Sequence, residues 1–176
     1  SAHQDAAAVV AISAAIRKVL LDYEPKLEKQ PGIDIVPSVC GMMQADQAAV
    51  AQLKQRWSGD FVVGHVGALD NSQKGQYYLI EAARALSVSH PQVRFVLLGA
   101  GKDETAFKTQ AKGLGNIVFE GHVTNVADYL AAFDLFAFPS LHEGLGSTLL
   151  DAMSFGLAIV ASDVDGIPEI IKHEDN

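Results

Sequence analysis

Short apolar runs alternate with segments of helical spacing along most of the chain, and this alternation predicts a series of strands and helices. From residue 61 onward, the apolar runs predict strands at 61–67, 93–98, 117–120, 134–138 and 157–161. The segments between them predict helices near 75–88, 103–113, 125–132 and 147–155. Because strands that alternate with helices at this spacing pair in parallel, we predict an α/β fold with a Rossmann-like parallel sheet and helices on both faces.

The first part of the chain carries its own short group of elements. The pattern predicts, in order, a strand, a helix, a polar loop and a second strand at 8–13, 14–23, 24–32 and 33–36. An amphipathic helix follows at 46–57, where Trp57 is expected to pack against the core.

The carboxyl ends of the predicted strands share one composition. Each is followed by glycine or small polar residues: Gly67-Ala68-Leu69-Asp70, Gly99-Ala100-Gly101, Gly121-His122-Val123, 140–146 and 162–166. Glycines also occur in ordinary turns, but loops at the opposite edge lack this bias. In open parallel sheets, ligands bind outside the carboxyl ends of the strands. We therefore predict a ligand cleft at this edge.

The loop before the helix at 147–155 has the features of an anion site. Gly144 and Gly146 leave the backbone free to approach a ligand closely. The first N–H groups of the helix, near Leu145, Gly146 and Ser147, lie at the positive end of its dipole. Such a place favours phosphate. The alternative is an ordinary turn in which Ser147 is the N-cap.

Two carboxylates flank this loop. Glu143 precedes the anion site and Asp151 follows it on the helix. Because a carboxylate aimed at phosphate would repel it, both are expected to accept hydrogen bonds from hydroxyl groups on either side of the phosphate. The alternative for Asp151 is a solvated acid on the helix surface.

The stretches PS, EGLGSTLLDAM and GLAIVASDVDGIPEII resemble the nucleotide-sugar signature of retaining glycosyltransferases with the GT-B fold, family 4, also called glycosyl transferases group 1. In that family two acidic residues are separated by seven others, and here they are Glu143 and Asp151. The resemblance implies that residues 1–40 are the end of an N-terminal Rossmann-like domain with its linker. Residues 41–176 would be the C-terminal nucleotide-sugar-binding domain, incomplete at its end.

The resemblance also implies roles. Glu143 would contact the donor sugar, and Lys74 would offset charge on the departing diphosphate, which makes them the candidate catalytic residues. Asp151 would bind the ribose hydroxyls. The other residues implied in donor binding are Gly67, Gly99, His122, Val123, Gly144, Leu145, Gly146 and Ser147. No metal or other cofactor is implied.

One departure from the family pattern concerns phosphate binding. Ala68 stands where the family has an arginine, and the segment from Gly67 to Lys74 is one residue longer than usual. Lysine alone neutralises phosphate as a point charge without the bidentate grip of a guanidinium. Arg84 and Lys102 are candidates to compensate, against the alternative that both are solvated.

Other kinds of site are disfavoured by spacing. Gly99-Ala100-Gly101 lacks the third glycine of a dinucleotide fingerprint, since that position is Glu104. The serines of the glycine-rich loop do not sit in a nucleophile elbow. His122 and His142 have no metal-ligand spacing.

Composition narrows the function classes. Hydrophobic residues make up 49% of the 176 residues and charged residues 19%, as in a globular chain. The net charge of −8 argues against nucleic acid as a partner. Cys40 is the only cysteine, which fits a reducing compartment. We expect a cytoplasmic protein, or one peripheral at the inner face of a membrane.

The expected function is transfer of a hexosyl or related sugar from a nucleotide-diphosphate donor, with this chain carrying mainly the donor-binding half. The expected partners are the donor, an acceptor that is a saccharide or lipid-linked glycan, and the missing N-terminal domain. The fragment alone is expected to be inactive. Two alternatives stay open: a non-catalytic α/β nucleotide-binding module, and a nucleotide-sugar isomerase or phosphorylase on a related fold.

Overall fold

The computed structural model describes residues 9–28, 33–37, 41 and 43–172. Its strands are β1 (Val9–Ala11), β2 (Ile33–Ile35), β3 (Phe61–Val66), β4 (Val93–Leu98), β5 (Ile117–Gly121), β6 (Leu135–Phe138) and β7 (Ala158–Ala161). Its α-helices are α1 (Ala14–Tyr23), α2 (Gln47–Arg56), α3 (Asn71–Lys74), α4 (Gln76–Ser89), α5 (Glu104–Gln110), α6 (Val126–Leu130) and α7 (Ser147–Ser154). Two short 3-10 helices span Pro25–Glu28 and Ile167–Glu169. Cys40 lies outside the described residues.

The strands form two separate parallel sheets. β1 pairs with β2, and the other five strands have the order β5-β4-β3-β6-β7. Every pairing in the five-stranded sheet is parallel, which confirms the predicted α/β fold. β3 lies at the centre of this sheet, so the loop that follows it lies between the loops that follow β4 and β6.

Two apolar cores cover opposite faces of the five-stranded sheet. Successive residues of one strand, such as Val62 and Val63, belong to different cores because side chains alternate across a sheet. One core packs the sheet against α2, α6 and α7, and the other packs it against α4 and α5. The helices on both faces agree with the prediction.

Trp57 follows the last residue of α2 and is 4% exposed. Its ring lies 6.0 Å from that of Tyr129 and 6.2 Å from that of Phe133, between centroids. The structure confirms the predicted packing role of this tryptophan.

Two helical turns lie where the sequence predicts loop. The 3-10 helix Pro25–Glu28 lies within the predicted loop at 24–32. α3 lies just before the predicted helix at 75–88 and ends at Lys74. Asp70 caps α3 by accepting from the Ser72 N–H at 3.0 Å, and Gly75 ends it with φ of 63°. A four-residue turn is too short to show helical periodicity, which explains the miss.

Candidate functional site

The loops after β3 and β6 are joined at the carboxyl edge of the sheet. The Gln73 carbonyl accepts from the N–H groups of Leu141 and His142 at 2.7 and 3.2 Å. A Cβ on Gly75 would lie 2.1 Å from the carbonyl oxygen of Pro139. Only glycine therefore permits this approach of the two loops.

Lys74 and Glu143 meet at this junction. The Lys74 Nζ forms an ion pair with Glu143 Oε2, and the two side chains are 20% and 15% exposed. The ammonium also lies 5.7 Å from the ring centroid of Phe138. The structure thus brings together the two side chains that the sequence analysis singled out as catalytic candidates.

The backbone of Glu143 is held on both sides. Its N–H donates to Asp165 Oδ2 at 2.9 Å, and its carbonyl accepts from the Gly166 N–H at 3.2 Å. Gly166 has to be glycine, because a Cβ there would lie 2.1 Å from the Gly144 carbonyl oxygen. These contacts fix where the Glu143 side chain emerges.

The start of α7 presents free backbone donors. Its N-cap is Gly146, with φ of 83° and no side-chain cap. Within the described part of the chain, the N–H groups of Leu145, Gly146 and Ser147 donate to no protein acceptor. Ser147 is the first helical residue, so the alternative that it serves as N-cap is wrong. The sharp left-handed turn at Gly146 leaves the helix to begin without a capping side chain.

One side of Gly144 is covered by side chains from the beginning of the chain. Ile12 and Ile16 lie 3.1 and 3.5 Å from the position of a Cβ on Gly144. Its carbonyl oxygen accepts from Ser13 Oγ at 2.6 Å. The sequence predicts a ligand beside Gly144, and these contacts from residues 12–16 leave no signal in its pattern.

Asp151 lies on α7, partly buried. Burial raises the pKa of its carboxyl above the usual value. No side-chain partner for this carboxylate is found among residues 9–28, 33–37, 41 and 43–172. A partly buried carboxylate without a partner is stabilised when it accepts a hydrogen bond.

The remaining predicted donor-binding residues lie on the β3, β4 and β5 side of the edge. Gly99 has φ of 129°, and a Cβ there would lie 2.0 Å from the Gly67 carbonyl oxygen, so glycine at position 99 permits the close packing of these two adjacent loops. His122 is exposed, whereas Val123 packs against the first core.

Neither candidate for the missing cation is unpaired. Lys102 Nζ lies 3.0 Å from Asp70 Oδ2, and hydrogen bonds from Ser72 and Lys102 lower the pKa of that carboxyl. Arg84 donates to the Gln110 carbonyl at 2.8 Å, between α4 and α5. Ala68 is exposed. Lys102 thus pairs with Asp70 on the loop that also carries Lys74, whereas Arg84 joins α4 to α5.

Sequence reasoning missed a buried polar pair beneath this site. His65 and Gln76 are both fully buried, and Gln76 Nε2 donates to the Ala68 carbonyl at 2.7 Å. His65 lies in β3, inside an apolar run, and Gln76 begins α4. For His65, the signal available was a polar residue inside an apolar run.

The five-stranded parallel sheet with helices on both faces is that of the GT-B glycosyltransferases. Residues 60–176 match the profile described as Glycosyl transferases group 1, and the chain belongs to that family.

Individual relatives agree with this assignment. An uncharacterized glycosyltransferase of Haemophilus influenzae is 30% identical over 118 residues, which cover 65% of this chain and 32% of that protein. The alpha-maltose-1-phosphate synthase of Mycolicibacterium smegmatis is 28% identical over 188 residues, covering 97% of this chain and 47% of that protein. The crystal structure of Anabaena HepE in complex with UDP and glucose superposes with a TM-score of 0.83 at 25% identity, covering 98% of this chain and 48% of that one.

The chain therefore spans less than half the length of each of these three proteins. Among the helices that the structure describes, none is long and apolar enough to cross a membrane.

Proposed function

We propose that this chain carries the donor-binding half of a retaining glycosyltransferase that uses a nucleotide-diphosphate sugar. The observation that carries the proposal is the Lys74–Glu143 ion pair, which closes the loop that leads into the free N–H groups of α7. A cation, amide donors and a carboxylate at one loop junction match the parts of such a donor: the leaving diphosphate, which the cation and the amides bind, and the sugar, which the carboxylate binds.

The reaction breaks the bond between the anomeric carbon and the diphosphate and forms a bond to an acceptor hydroxyl, whose proton is lost. Negative charge grows on the departing diphosphate. Preorganised dipoles at Leu145, Gly146 and Ser147, together with Lys74, stabilise that charge without a bound metal. Glu143 accepts hydrogen bonds from the sugar hydroxyls once donor binding draws Lys74 towards phosphate.

The nucleoside is assigned to the other half of the site. Asp151 accepts from the ribose hydroxyls, and the loops that carry Gly67, Gly99, His122 and Val123 border the base. HepE, which shares this fold, was crystallised with UDP and glucose. Its complex supports a nucleotide sugar as the donor class.

The acceptor and the rest of the enzyme lie outside these assignments. We propose a saccharide or lipid-linked glycan as acceptor, a preceding domain that binds it, and a cytoplasmic site of action. The 176-residue chain then binds donor and has no transferase activity alone; turnover by this chain would contradict that part of the proposal.

Calorimetric titration of the chain with UDP, GDP and ADP sugars tests the donor site. Saturable binding of one donor class is expected, weakened about 10- to 100-fold in Lys74→Ala and Glu143→Ala. Lys112→Ala is the control, since Lys112 is an exposed lysine beyond α5. The absence of binding to every nucleotide sugar would favour a non-catalytic module and overturn the proposal.

A further inference from the structure

The first turn of α1 is bound to the loop that carries Glu143 and to the turn that ends at Glu169. We propose that Ser13 and Glu169 are positioning residues, which use the N-terminus of α1 to hold the Gly144 carbonyl and thereby the loop at 142–147 in its donor-binding conformation. This inference rests on the proposed function, because it assigns a role towards the same donor.

Ser13 links the helix to the loop through one hydroxyl. Its Oγ accepts from the Ile16 N–H at 3.1 Å and donates to the Gly144 carbonyl at 2.6 Å. The residue is 1% exposed, so water does not compete for these bonds. A serine hydroxyl has a single proton to donate, and here it is committed to the loop.

Glu169 supplies the carboxylate that α1 lacks in its own first turn. Its two oxygens accept from the N–H groups of Ala14 and Ala15, both at 3.0 Å. The next two donors of the helix are also used, by Ser13 Oγ and by the Ser13 carbonyl, which accepts from Arg17 at 3.0 Å. The N–H groups of Ala14, Ala15 and Ile16, which have no acceptor inside the helix, are therefore paired within the chain, unlike those at the start of α7.

The same turn reaches the back of Glu143. Glu169 donates from its N–H to the Gly166 carbonyl at 3.2 Å, and Gly166 donates to the Glu143 carbonyl at 3.2 Å. A shift of the Glu169 turn thus displaces the anchor of the loop. The side chains of Ile12 and Ile16 pack against Gly144.

This arrangement makes the geometry of the donor loop depend on the docking of residues 12–17. The carboxylate of Glu169 interacts with the positive end of the α1 dipole, and Ser13 transmits that position to Gly144. When α1 is displaced, the loop loses the bond that orients the Gly144 carbonyl and keeps only its own backbone contacts.

Two measurements test the inference on the 176-residue chain. The first is amide hydrogen exchange by NMR at Ala14, Ala15 and Gly166, which needs no ligand. In Glu169→Gln we expect exchange about tenfold faster at all three amides, because a side-chain amide cannot accept from both helix donors and loses its charge. Glu28→Gln, which removes an exposed charge elsewhere, should leave all three unchanged.

The second measurement is donor affinity by calorimetry. Ser13→Ala and Glu169→Gln should each weaken nucleotide-sugar binding about five- to tenfold, and Ser13→Thr, which keeps the hydroxyl, should restore it. Unchanged exchange at Gly166 in Glu169→Gln overturns the inference, and so does full affinity in Ser13→Ala. If the unaltered chain binds no nucleotide sugar, the proposed function fails, while the exchange data still decide whether Glu169 holds the loop.

Discussion

Gln76 donates from Nε2 to Nε2 of His65 across 3.2 Å, in the interior beneath the candidate site. The other proton of that amide goes to the Ala68 carbonyl, so the His65 Nε2 has to be an acceptor. His65 then carries its proton on Nδ1 and donates it to the Ala137 carbonyl at 2.9 Å. One neutral imidazole thereby connects the ends of β3 and β6 with the start of α4.

This relationship predicts how stability depends on pH. Burial lowers the pKa of His65 from 6.5 to about 4; the hydrogen bond to Ala137 opposes this, and the charge of Lys74 reinforces it. Between these values the unfolded chain binds the proton and the folded chain does not, so acidification favours unfolding. At pH 5 this titration lowers the free energy of unfolding by about 2 kcal/mol. Urea unfolding between pH 7 and pH 5 measures it.

His65→Phe is the control for that titration. The variant should be less stable at neutral pH, because the Gln76 amide loses its bond to the His65 ring. Its free energy of unfolding should no longer carry the dependence on pH that His65 contributes. Equal slopes in the two proteins would show that His65 titrates normally.

The Lys74–Glu143 pair predicts an energetic coupling. Lys74→Met and Glu143→Gln should each destabilise the chain by about 1–3 kcal/mol, because each strands a mostly buried partner. The double variant should lose less free energy of unfolding than the two single variants lose together. Denaturant unfolding of the four proteins gives the coupling energy.

The exposed pair Lys18–Asp22, whose side chains are 76% and 66% exposed, is the matched control. Its cycle should give about 0.5 kcal/mol or less. A coupling as small at Lys74 and Glu143 would mean that the two groups do not form a partly buried pair in solution.

A single methyl group added at Gly75 should greatly reduce the stability of the fold. Gly75→Ala places a Cβ 2.1 Å from the Pro139 oxygen at φ of 63°, whereas Gly113→Ala has φ of 87° and no atom within 4 Å. The second change costs about 1–2 kcal/mol in backbone strain alone. We expect Gly75→Ala to exceed it by about 2 kcal/mol in thermal or urea unfolding. Equal losses would show that the loops after β3 and β6 do not touch.

Asp151 predicts opposite effects on folding and binding. Burial raises its pKa, so the folded chain holds a proton more readily than the unfolded chain, and the ionised carboxylate destabilises the fold at neutral pH. Asp151→Asn should raise the melting temperature at pH 7 and weaken donor binding about tenfold through the lost ribose contact. Asp163→Asn, at an exposed position, is the control. Unweakened donor binding in Asp151→Asn would remove this residue from the site.

Ala68 predicts a gain of affinity. An arginine at this exposed position, on the loop that carries Lys74, adds the bidentate phosphate ligand that the family pattern has there. Ala68→Arg should strengthen UDP binding about tenfold in calorimetry. Ala68→Gln controls for side-chain length without charge, and equal gains in both would contradict a phosphate contact.

The sequence predicts the layered fold well because each strand of the five-stranded sheet is a short apolar run bounded by glycine or polar residues. The helices α4 and α7 follow from their spacing, and Gly156, with φ of 69°, follows the C-cap Phe155 just beyond the end of α7. These are local signals, and the alternation of the two element types decides the topology.

The site is only partly visible in the sequence, because its contacts join distant positions. Glu143 and Lys74 could be named from a motif, but their ion pair spans 69 positions. The bonds from Ala14 and Ala15 to Glu169 span 155 and 154 positions, and no pattern along the chain encodes them. The donor-binding and catalytic roles assigned to all of these residues stay predictions, namely those of Gly67, Lys74, Gly99, His122, Val123, Glu143, Gly144, Leu145, Gly146, Ser147 and Asp151.

The aromatic cluster around Trp57 has a practical consequence. It is the only tryptophan in the chain, and it packs between α2 and α6 near the amino-terminal ends of β3 and β6. Its fluorescence emission should therefore change when the fold melts and stay constant when a nucleotide enters at the far edge. The fluorescence of Trp57 should therefore report whether each variant named above is folded, and it should not respond to ligand binding.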